Sequence, residues 1–286
     1  MPLPNFLVIG APKSGTTSLD RYLGQHPQIY MSPVKEPQYF RPIYSLKTTV
    51  DDLDGYRALF DGVRDETAIG EVSPFYLSSA SAADRIREMI PDARIVAILR
   101  NPVERAFSDY AMFIEKGRDH LSFDEAIDDE LSLEAERRGD WPRNYVKHGL
   151  YGEQLAVYYE RFDRGRIEVV LFEDMRTDAP AVLRRLYAFL GVDADYVPDT
   201  SRVFNATTAP PRHPRLNRLV RRAQDRGVQR LVPRSLRKGV RTLAAQNADE
   251  KLELPPEARA RLVEYYRPDV RTLEELLGRD LSTWLV

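Results

Sequence analysis

A cation and several hydroxyl groups lie together near the start of the chain, in one short glycine-containing segment. Lys13 supplies the charge, Gly15 supplies a turn, and the neighbouring hydroxyl residues are Ser14, Thr16 and Thr17. Ammonium, hydroxyl and backbone N–H groups are all hydrogen-bond donors. The chemistry that this set can do is therefore to bind an anion, such as a phosphate or a sulfate group.

The elements on either side of this segment must position its donors. The short apolar run from Phe6 to Ile9 is stopped by Gly10, which predicts a buried strand. A helix is predicted from Thr16 onward by the helical spacing of three residues, Leu19, Tyr22 and Leu23. The loop then lies at a helix N-terminus, where the N–H groups and the helix dipole favour an anion.

The spacing of this loop differs from that of a nucleotide triphosphatase, which reads G-x-x-x-x-G-K-[ST]. Gly10 and Gly15 fit, but Thr16 takes the place of the lysine, and the cation of the loop is Lys13. A later predicted strand ends in Arg100, where such an enzyme has an aspartate for magnesium. A cationic side chain thus stands where a metal ligand would be needed, and we expect no metal ion. The four histidines are scattered and lack metal-ligand spacing: His26, His120, His148 and His213.

Two segments resemble the motifs of the sulfotransferases that use 3′-phosphoadenosine 5′-phosphosulfate (PAPS). The first, Pro12 to Thr17, resembles their 5′-phosphosulfate loop, P-K-S/T-G-T-T, and the match is complete. The second, Arg100 to Ser108, resembles their 3′-phosphate motif, R-x-P-x-x-R-x-x-S. The resemblance implies PAPS as co-substrate, with its phosphosulfate at Lys13, Ser14, Gly15, Thr16 and Thr17 and its 3′-phosphate at Arg100 and Ser108. We interpret the inner arginine, Arg105, as structural.

A glutamate that precedes a proline is the candidate general base. Proline disfavours helix for the residue before it, so Glu36, followed by Pro37, is expected at a loop end. The segment resembles the K-E-P-x-Y/F-F segment of the heparan-sulfate and related bacterial enzymes. This resemblance implies catalytic roles for Glu36 as base and for Lys35 as its cationic neighbour. Two alternatives stay open: a surface ion pair without catalytic function, and a histidine base, for which His148 is the best candidate.

The acceptor is expected beside a second predicted strand, which runs from Ala68 and ends at Pro74. We assign acceptor binding to Glu71, Ser73, Tyr76 and His148. An alternative for Glu71 and Ser73 is a polar pair that caps the next helix. Relatives have E-K-T/S-P-x-Y here, and Val72 replaces their lysine, which weakens any transfer of the glycan substrate class to this chain.

A basic segment near the C-terminal part of the chain has two interpretations. Relatives fold a basic loop over the nucleotide at this point, and Arg212 matches their 3′-phosphate contact. Residues 212–241 are rich in lysine and arginine, which fits an approach surface for an anionic acceptor or an acidic membrane surface. A solvated charged face is the other interpretation. Residues 212–245 are a candidate peripheral insertion.

Composition limits the remaining possibilities. The chain has 286 residues, a formal net charge of -2 and no cysteine, so we expect one domain over residues 1–286. The charge gives no signal for nucleic acid, and the missing cysteine favours a reducing compartment. No apolar run is long enough for a membrane helix. We therefore expect a cytoplasmic, bacterial-type enzyme with a three-layer, P-loop-like α/β fold, in which helices flank a mostly parallel sheet.

The predicted reaction is metal-independent, in-line transfer of a sulfuryl group from PAPS to a hydroxyl or amine. Its acceptor is a glycan, a glycolipid, a lipid alcohol or a small natural product, and the sequence does not choose among them. Nor does it fix the oligomeric state. The alternative enzyme class is a P-loop kinase or nucleotide hydrolase. The alternative without catalytic activity is a nucleotide-binding module.

Overall fold

The structure is a computed structural model that describes residues 3–42, 48–119, 121–132, 144–201 and 252–286. These residues form two compact units. The first unit takes in the described chain up to Pro102, then residues 148–201 and 266–286. The second takes in the described residues between 103 and 147 and residues 252–265. The single domain expected over residues 1–286 stays a prediction, and the basic segment, 212–245, lies outside the described residues.

A five-stranded sheet lies in the first unit, and all of its strand pairs are parallel. The strands in chain order are β1 (Phe6–Gly10), β2 (Ile29–Met31), β3 (Ala68–Val72), β4 (Arg94–Leu99) and β5 (Ile167–Leu171). Their order across the sheet is β2-β3-β1-β4-β5. The predicted α/β fold with a central sheet flanked by helices is confirmed, and the sheet is wholly parallel over the described strands.

Burial explains why these segments form strands. Every residue of β1 and β3 is buried, as are the five residues of β4 after Arg94. Continuous apolar runs of this length suit parallel strands that are covered on both faces. In register, Phe6 lies opposite Gly70 of β3 and Arg94 of β4, so β1 is the central strand.

Helices connect the strands and cover the sheet. In chain order the helices are α1 (Thr16–Leu23), α2 (Leu53–Ala58), α3 (Ala80–Met89), α4 (Pro102–Glu115), α5 (Phe123–Leu131), α6 (Tyr151–Tyr159), α7 (Phe172–Thr177), α8 (Ala179–Leu190) and α9 (Pro256–Leu277). The predicted start of α1 at Thr16 is confirmed. Helix α4 begins at Pro102, and α8 ends at the left-handed Gly191. No helix of the described chain is long and apolar enough to span a bilayer.

The second unit contains a buried polar network around Arg105. This guanidinium has no exposed surface, pairs with Asp109 at 3.2 Å and donates to the backbone oxygen of Tyr145. Nearby, the Glu130 carboxyl accepts the backbone N–H groups of Val146 and Lys147, and burial raises its pKa. The partners of Arg105 are structural ones, as the sequence analysis expected.

A close approach of two helices in the first unit explains a glycine in α6. The Asp269 carboxylate of α9 accepts the N–H groups of Gly152 and Glu153, each at 2.9 Å. A Cβ on Gly152 would lie 2.5 Å from the backbone oxygen of Asp269. A side chain at this position therefore forces the two helices apart.

We expect Gly152→Ala to lower the free energy of unfolding by about 1–3 kcal/mol, because overpacking of this contact must be relieved by backbone movement. Urea denaturation measures the change. Gly165→Ala is the matched control, since a Cβ there meets nothing within 4 Å. Equal stability of the two variants would contradict the packing argument.

Candidate active site

The strand order places the two sequence motifs side by side. Connections run from β1 to one side of the sheet, through β3, and then to β4 on its other side. In open parallel sheets, ligands bind beyond the carboxyl ends of the strands at such a reversal. The loop after β1 carries Lys13, and the residue after β4 is Arg100. Both therefore leave the sheet at its binding edge.

The loop between β1 and α1 is fixed by backbone hydrogen bonds. The Ala11 N–H donates to the Ile98 oxygen of β4 at 2.7 Å, and the Ser14 N–H donates to the Ala11 oxygen at 3.3 Å. Lys13 has a left-handed backbone with a φ of 67°, a conformation that is uncommon outside glycine and is found at functional sites. The loop therefore holds Lys13 in one defined conformation at the strand end.

Gly15 begins α1 and cannot be replaced without strain. Its φ is 93°, and a Cβ there would lie 2.9 Å from the ring of Phe172. As the N-cap residue it has no side chain that could cap the first turn of α1. The helix N-terminus is thus built without the usual capping hydroxyl or carboxylate.

The Ser14 hydroxyl is the clearest sign of a ligand. The residue has no exposed surface, and its Oγ has no hydrogen-bond partner among the described residues. A buried hydroxyl without a partner costs free energy, so native structures rarely keep one unless it binds something. The donor set around it, Lys13 and the first turn of α1, fits the phosphosulfate end of PAPS.

Arg100 lies next to this loop. One guanidinium N–H, on Nη1, donates to the backbone oxygen of Lys13 at 3.5 Å. Its guanidinium carbon lies 5.1 Å from the centre of the Phe172 ring, a cation–π contact. The same ring packs against Gly15. Lys13 and Arg100, which lie 87 residues apart in the sequence, are thus neighbours in the structure.

Other predicted nucleotide contacts stay predictions. Ser108 is buried on α4, within the second unit. Arg212 lies outside the described residues, and so do His120 and His213. Over the described ranges, no group of three or more metal-ligating side chains comes together.

Glu36 lies at a loop end, as predicted, and is bonded to its neighbour. Its backbone is left-handed, with a φ of 60°, and its N–H donates to the Val72 oxygen at the end of β3 at 2.9 Å. The Lys35 Nζ lies 2.6 Å from Glu36 Oε1, and both side chains are about a quarter exposed. The predicted ion pair is therefore present, and the carboxylate is accessible from solvent.

Asp20 of α1 is a charged neighbour that sequence reasoning missed. Burial raises the pKa of Asp20, and the nearby Lys35 opposes that effect. Lys35 therefore pairs with Glu36 and also acts electrostatically on Asp20. The only sequence signal for Asp20 was its place in the first helix after the loop.

Three of the predicted acceptor contacts are buried. Glu71, Ser73 and Tyr76 have no exposed surface. Their predicted roles in acceptor binding stay predictions. The hydroxyls of Ser73 and Tyr76 bind the loop that carries Glu36. Ser73 Oγ accepts the Gln38 N–H at 3.1 Å, and the Tyr76 hydroxyl accepts the Phe40 N–H at 3.2 Å.

The fourth predicted acceptor contact, His148, is also mostly buried. Its ring centre lies 5.4 Å from that of Phe75, in the segment that follows β3. Phe75 itself is partly exposed. His148 is therefore near the predicted acceptor side of the site, and its role there stays a prediction.

A comparison with protein families decides which class of enzyme this geometry belongs to. The family model described as Sulfotransferase domain matches residues 3–218. The chain belongs to the sulfotransferase family. The match covers the anion loop, Glu36, β3 and the Arg100 motif, so the residues that carried the sequence resemblance all lie inside it.

Known sulfotransferases resemble this chain to different extents. A sulfotransferase from Alicyclobacillus acidocaldarius, known by crystal structure, is 36% identical, with a TM-score of 0.77 over 99% of each chain. The membrane-associated sulfotransferase kil1 of Dictyostelium discoideum is 39% identical over 40% of this chain. Mouse heparan sulfate glucosamine 3-O-sulfotransferase 3A1 is 27% identical over 98% of it. The chain spans only 24% of the length of the former and 64% of the latter.

Proposed function

We propose that this sulfotransferase transfers a sulfuryl group from PAPS to an acceptor hydroxyl or amine without a metal ion. The observation that carries the proposal is the contact between Arg100 and the backbone of Lys13 at the reversal of the strand order. Two cations there suit a nucleotide that carries phosphate at two positions. Arginine also suits phosphate because its planar fork donates parallel hydrogen bonds.

Different residues of the site would bind the two charged ends of the nucleotide. Lys13, Ser14, Gly15, Thr16 and Thr17 would hold the phosphosulfate, and Arg100, with Ser108 and Arg212, would hold the 3′-phosphate. Bound in this way, PAPS supplies a sulfuryl group on a phosphate leaving group. Lys13 and the N-terminus of α1 then stabilise the negative charge that grows on that phosphate as the transfer proceeds.

The acceptor side of the reaction falls to Glu36. Its carboxylate takes the proton of the acceptor hydroxyl or amine as attack begins, which is the role of a general base. The Lys35 ammonium, 2.6 Å from Glu36 Oε1, holds the carboxylate in place. Because Glu36 Oε1 is bonded to Lys35, we expect Glu36 Oε2 to face the acceptor.

A glycan hydroxyl is the first acceptor to test. The mouse relative is a heparan sulfate glucosamine 3-O-sulfotransferase by name, which supports this class. Glycolipids, lipid alcohols and small natural products remain in the proposal, since Val72 stands where relatives have lysine. The cysteine-free sequence fits a reducing compartment, so we extend the proposal to a cytoplasmic location.

Calorimetry tests the nucleotide site directly. We expect binding of adenosine 3′,5′-bisphosphate, the desulfated product, without magnesium. Tight binding of ATP that depends on magnesium would favour a kinase or hydrolase instead. Product binding without sulfuryl transfer to any acceptor in a screen with labelled PAPS would favour a non-catalytic nucleotide-binding module.

Arg100→Ala should weaken binding of adenosine 3′,5′-bisphosphate by about 10–100-fold, because hydrogen bonds to charged groups contribute about 1.5–3 kcal/mol. Affinity for adenosine 5′-phosphate, which lacks the 3′-phosphate, should hardly change. Titration of both nucleotides measures the two effects. The control is Arg176→Ala, an exposed arginine on α7, the helix that begins with Phe172. If Arg100→Ala weakened both nucleotides equally, Arg100 would not be the 3′-phosphate contact.

A further inference from the structure

The Glu71 carboxyl is buried at the end of β3, and the proposed reaction does not use it. The residue has no exposed surface, and its Oε2 has no hydrogen-bond partner among the residues that the structure describes. Burying a carboxyl in this way is costly, and a purely structural position is normally filled by an apolar residue. Its presence therefore requires an explanation.

Three hydroxyl groups surround this carboxyl. The Tyr56 hydroxyl of α2 donates to Glu71 Oε1 at 3.4 Å. The hydroxyls of Ser73 and Tyr76 also lie beside the carboxyl and stabilise its charged form. The Glu36 carboxyl acts in the opposite direction and disfavours that form. Glu71 is thus linked both to hydroxyl donors and to the proposed base.

Two of these hydroxyls are already acceptors for the loop that carries Glu36. Ser73 Oγ accepts the Gln38 N–H, and the Tyr76 hydroxyl accepts the Phe40 N–H. A hydroxyl whose oxygen accepts such a bond still has its own proton to donate. The nearby acidic acceptor for both protons is Glu71. The carboxyl therefore orients the two hydroxyls so that their oxygens face the loop.

The loop needs this support because its backbone is strained. Glu36 and Gln38 both have left-handed backbones, with φ values of 60° and 54°, and neither is glycine. Such residues persist only where the surroundings enforce them. Three backbone N–H groups anchor the loop, those of Glu36, Gln38 and Phe40, and two of them end on hydroxyls beside Glu71.

We propose that Glu71 is a positioning residue that acts through Ser73 and Tyr76 to hold the 36–40 loop and thus to place Glu36 for proton transfer. The inference rests on the proposed role of Glu36. Burial raises the pKa of Glu71 to about 7, so its charge changes near neutral pH. Because only the charged form accepts from both hydroxyls at full strength, activity should rise as pH increases through about 7.

The experiment compares Glu71→Gln, Tyr76→Phe and the double variant in sulfuryl-transfer assays with labelled PAPS. We expect each single variant to lower kcat by about 10-fold or more and the double variant to be little worse than either, as for residues that act through one path. The step in the pH profile near 7 should be absent from Glu71→Gln. The dissociation constant for adenosine 3′,5′-bisphosphate should stay within about two-fold of wild type, since Lys13 and Arg100 are unchanged.

Asp269→Asn is the control, a partly buried carboxyl in the same unit whose pKa burial also raises. It should affect stability without changing the pH profile of kcat. An unchanged pH profile in Glu71→Gln, or effects of the two single variants that multiply, would overturn the positioning role. If Glu71→Gln fails to fold, Tyr76→Phe alone decides, because it keeps the ring and must still lower kcat. A wild-type protein that transfers no sulfuryl group would instead refute the proposed function.

Discussion

Glu36→Gln is expected to lower kcat with saturating PAPS by about 10²–10⁴-fold, the usual contribution of a general base. The amide keeps the shape of the side chain and its bond from Lys35 Nζ, which reaches one oxygen of the carboxylate. It cannot take up a proton. The affinity for adenosine 3′,5′-bisphosphate should be unchanged, because Glu36 follows β2 whereas the nucleotide donors follow β1 and β4. Single-turnover assays separate the chemical step from binding.

Glu160→Gln is the matched control for this change. Glu160 is also paired with a neighbouring cation, Arg161, but its side chain is 74% exposed and lies at the end of α6. Its replacement should leave kcat within about two-fold, as for an ordinary surface pair. If Glu36→Gln behaved in the same way, the base would lie elsewhere, and His148 would be the next residue to replace.

Lys13→Met is expected to lower kcat by about 10²–10³-fold, the typical cost of removing one group that stabilises charge in the transition state. Methionine keeps the length and the apolar stem of lysine and, like lysine, is unbranched at Cβ. The change therefore removes the charge and leaves the conformation of the loop, where Lys13 has a φ of 67°. We expect the loss in kcat to exceed the loss in affinity for PAPS, since charge on the leaving phosphate grows only during transfer.

Lys116→Met is the control for this second prediction, because Lys116 is exposed beyond the end of α4. Activity should be unaffected by it. Should Lys13→Met raise KM for PAPS and leave kcat intact, Lys13 would bind the donor without assisting its chemistry.

The loop that carries Lys13 and the strand end that carries Arg100 were predictable from sequence, because short local sequence patterns indicate both. A short apolar strand, a glycine turn and a helix start fix the conformation around Lys13 within about a dozen residues, and Arg100 ends a strand of the same kind. The pairing of β1 with β4 was not visible in the sequence. The general rule that parallel strands present their carboxyl ends at one edge does not say which strands are neighbours.

The surroundings of the residues predicted to contact the acceptor were harder to predict, because the burial of a side chain depends on distant parts of the chain. Glu71 and Ser73 read as polar groups at a strand end, yet both are covered completely. Their cover comes from α2 and the 36–40 loop, through Tyr56 and Phe40. Asp20 was missed because a helical sequence pattern does not show which distant cation will lie near a given side chain.

The order of the strands also bears on how such an enzyme can change its substrate. The residues assigned to the nucleotide follow β1 and β4, whereas Glu36 follows β2 and Glu71 lies in β3, on the other half of the sheet. If these assignments hold, substitutions in the loops after β2 and β3 should change acceptor recognition and leave nucleotide binding intact. Such a division lets one ancestral framework diversify toward new alcohols or amines while it keeps a single activated sulfate source.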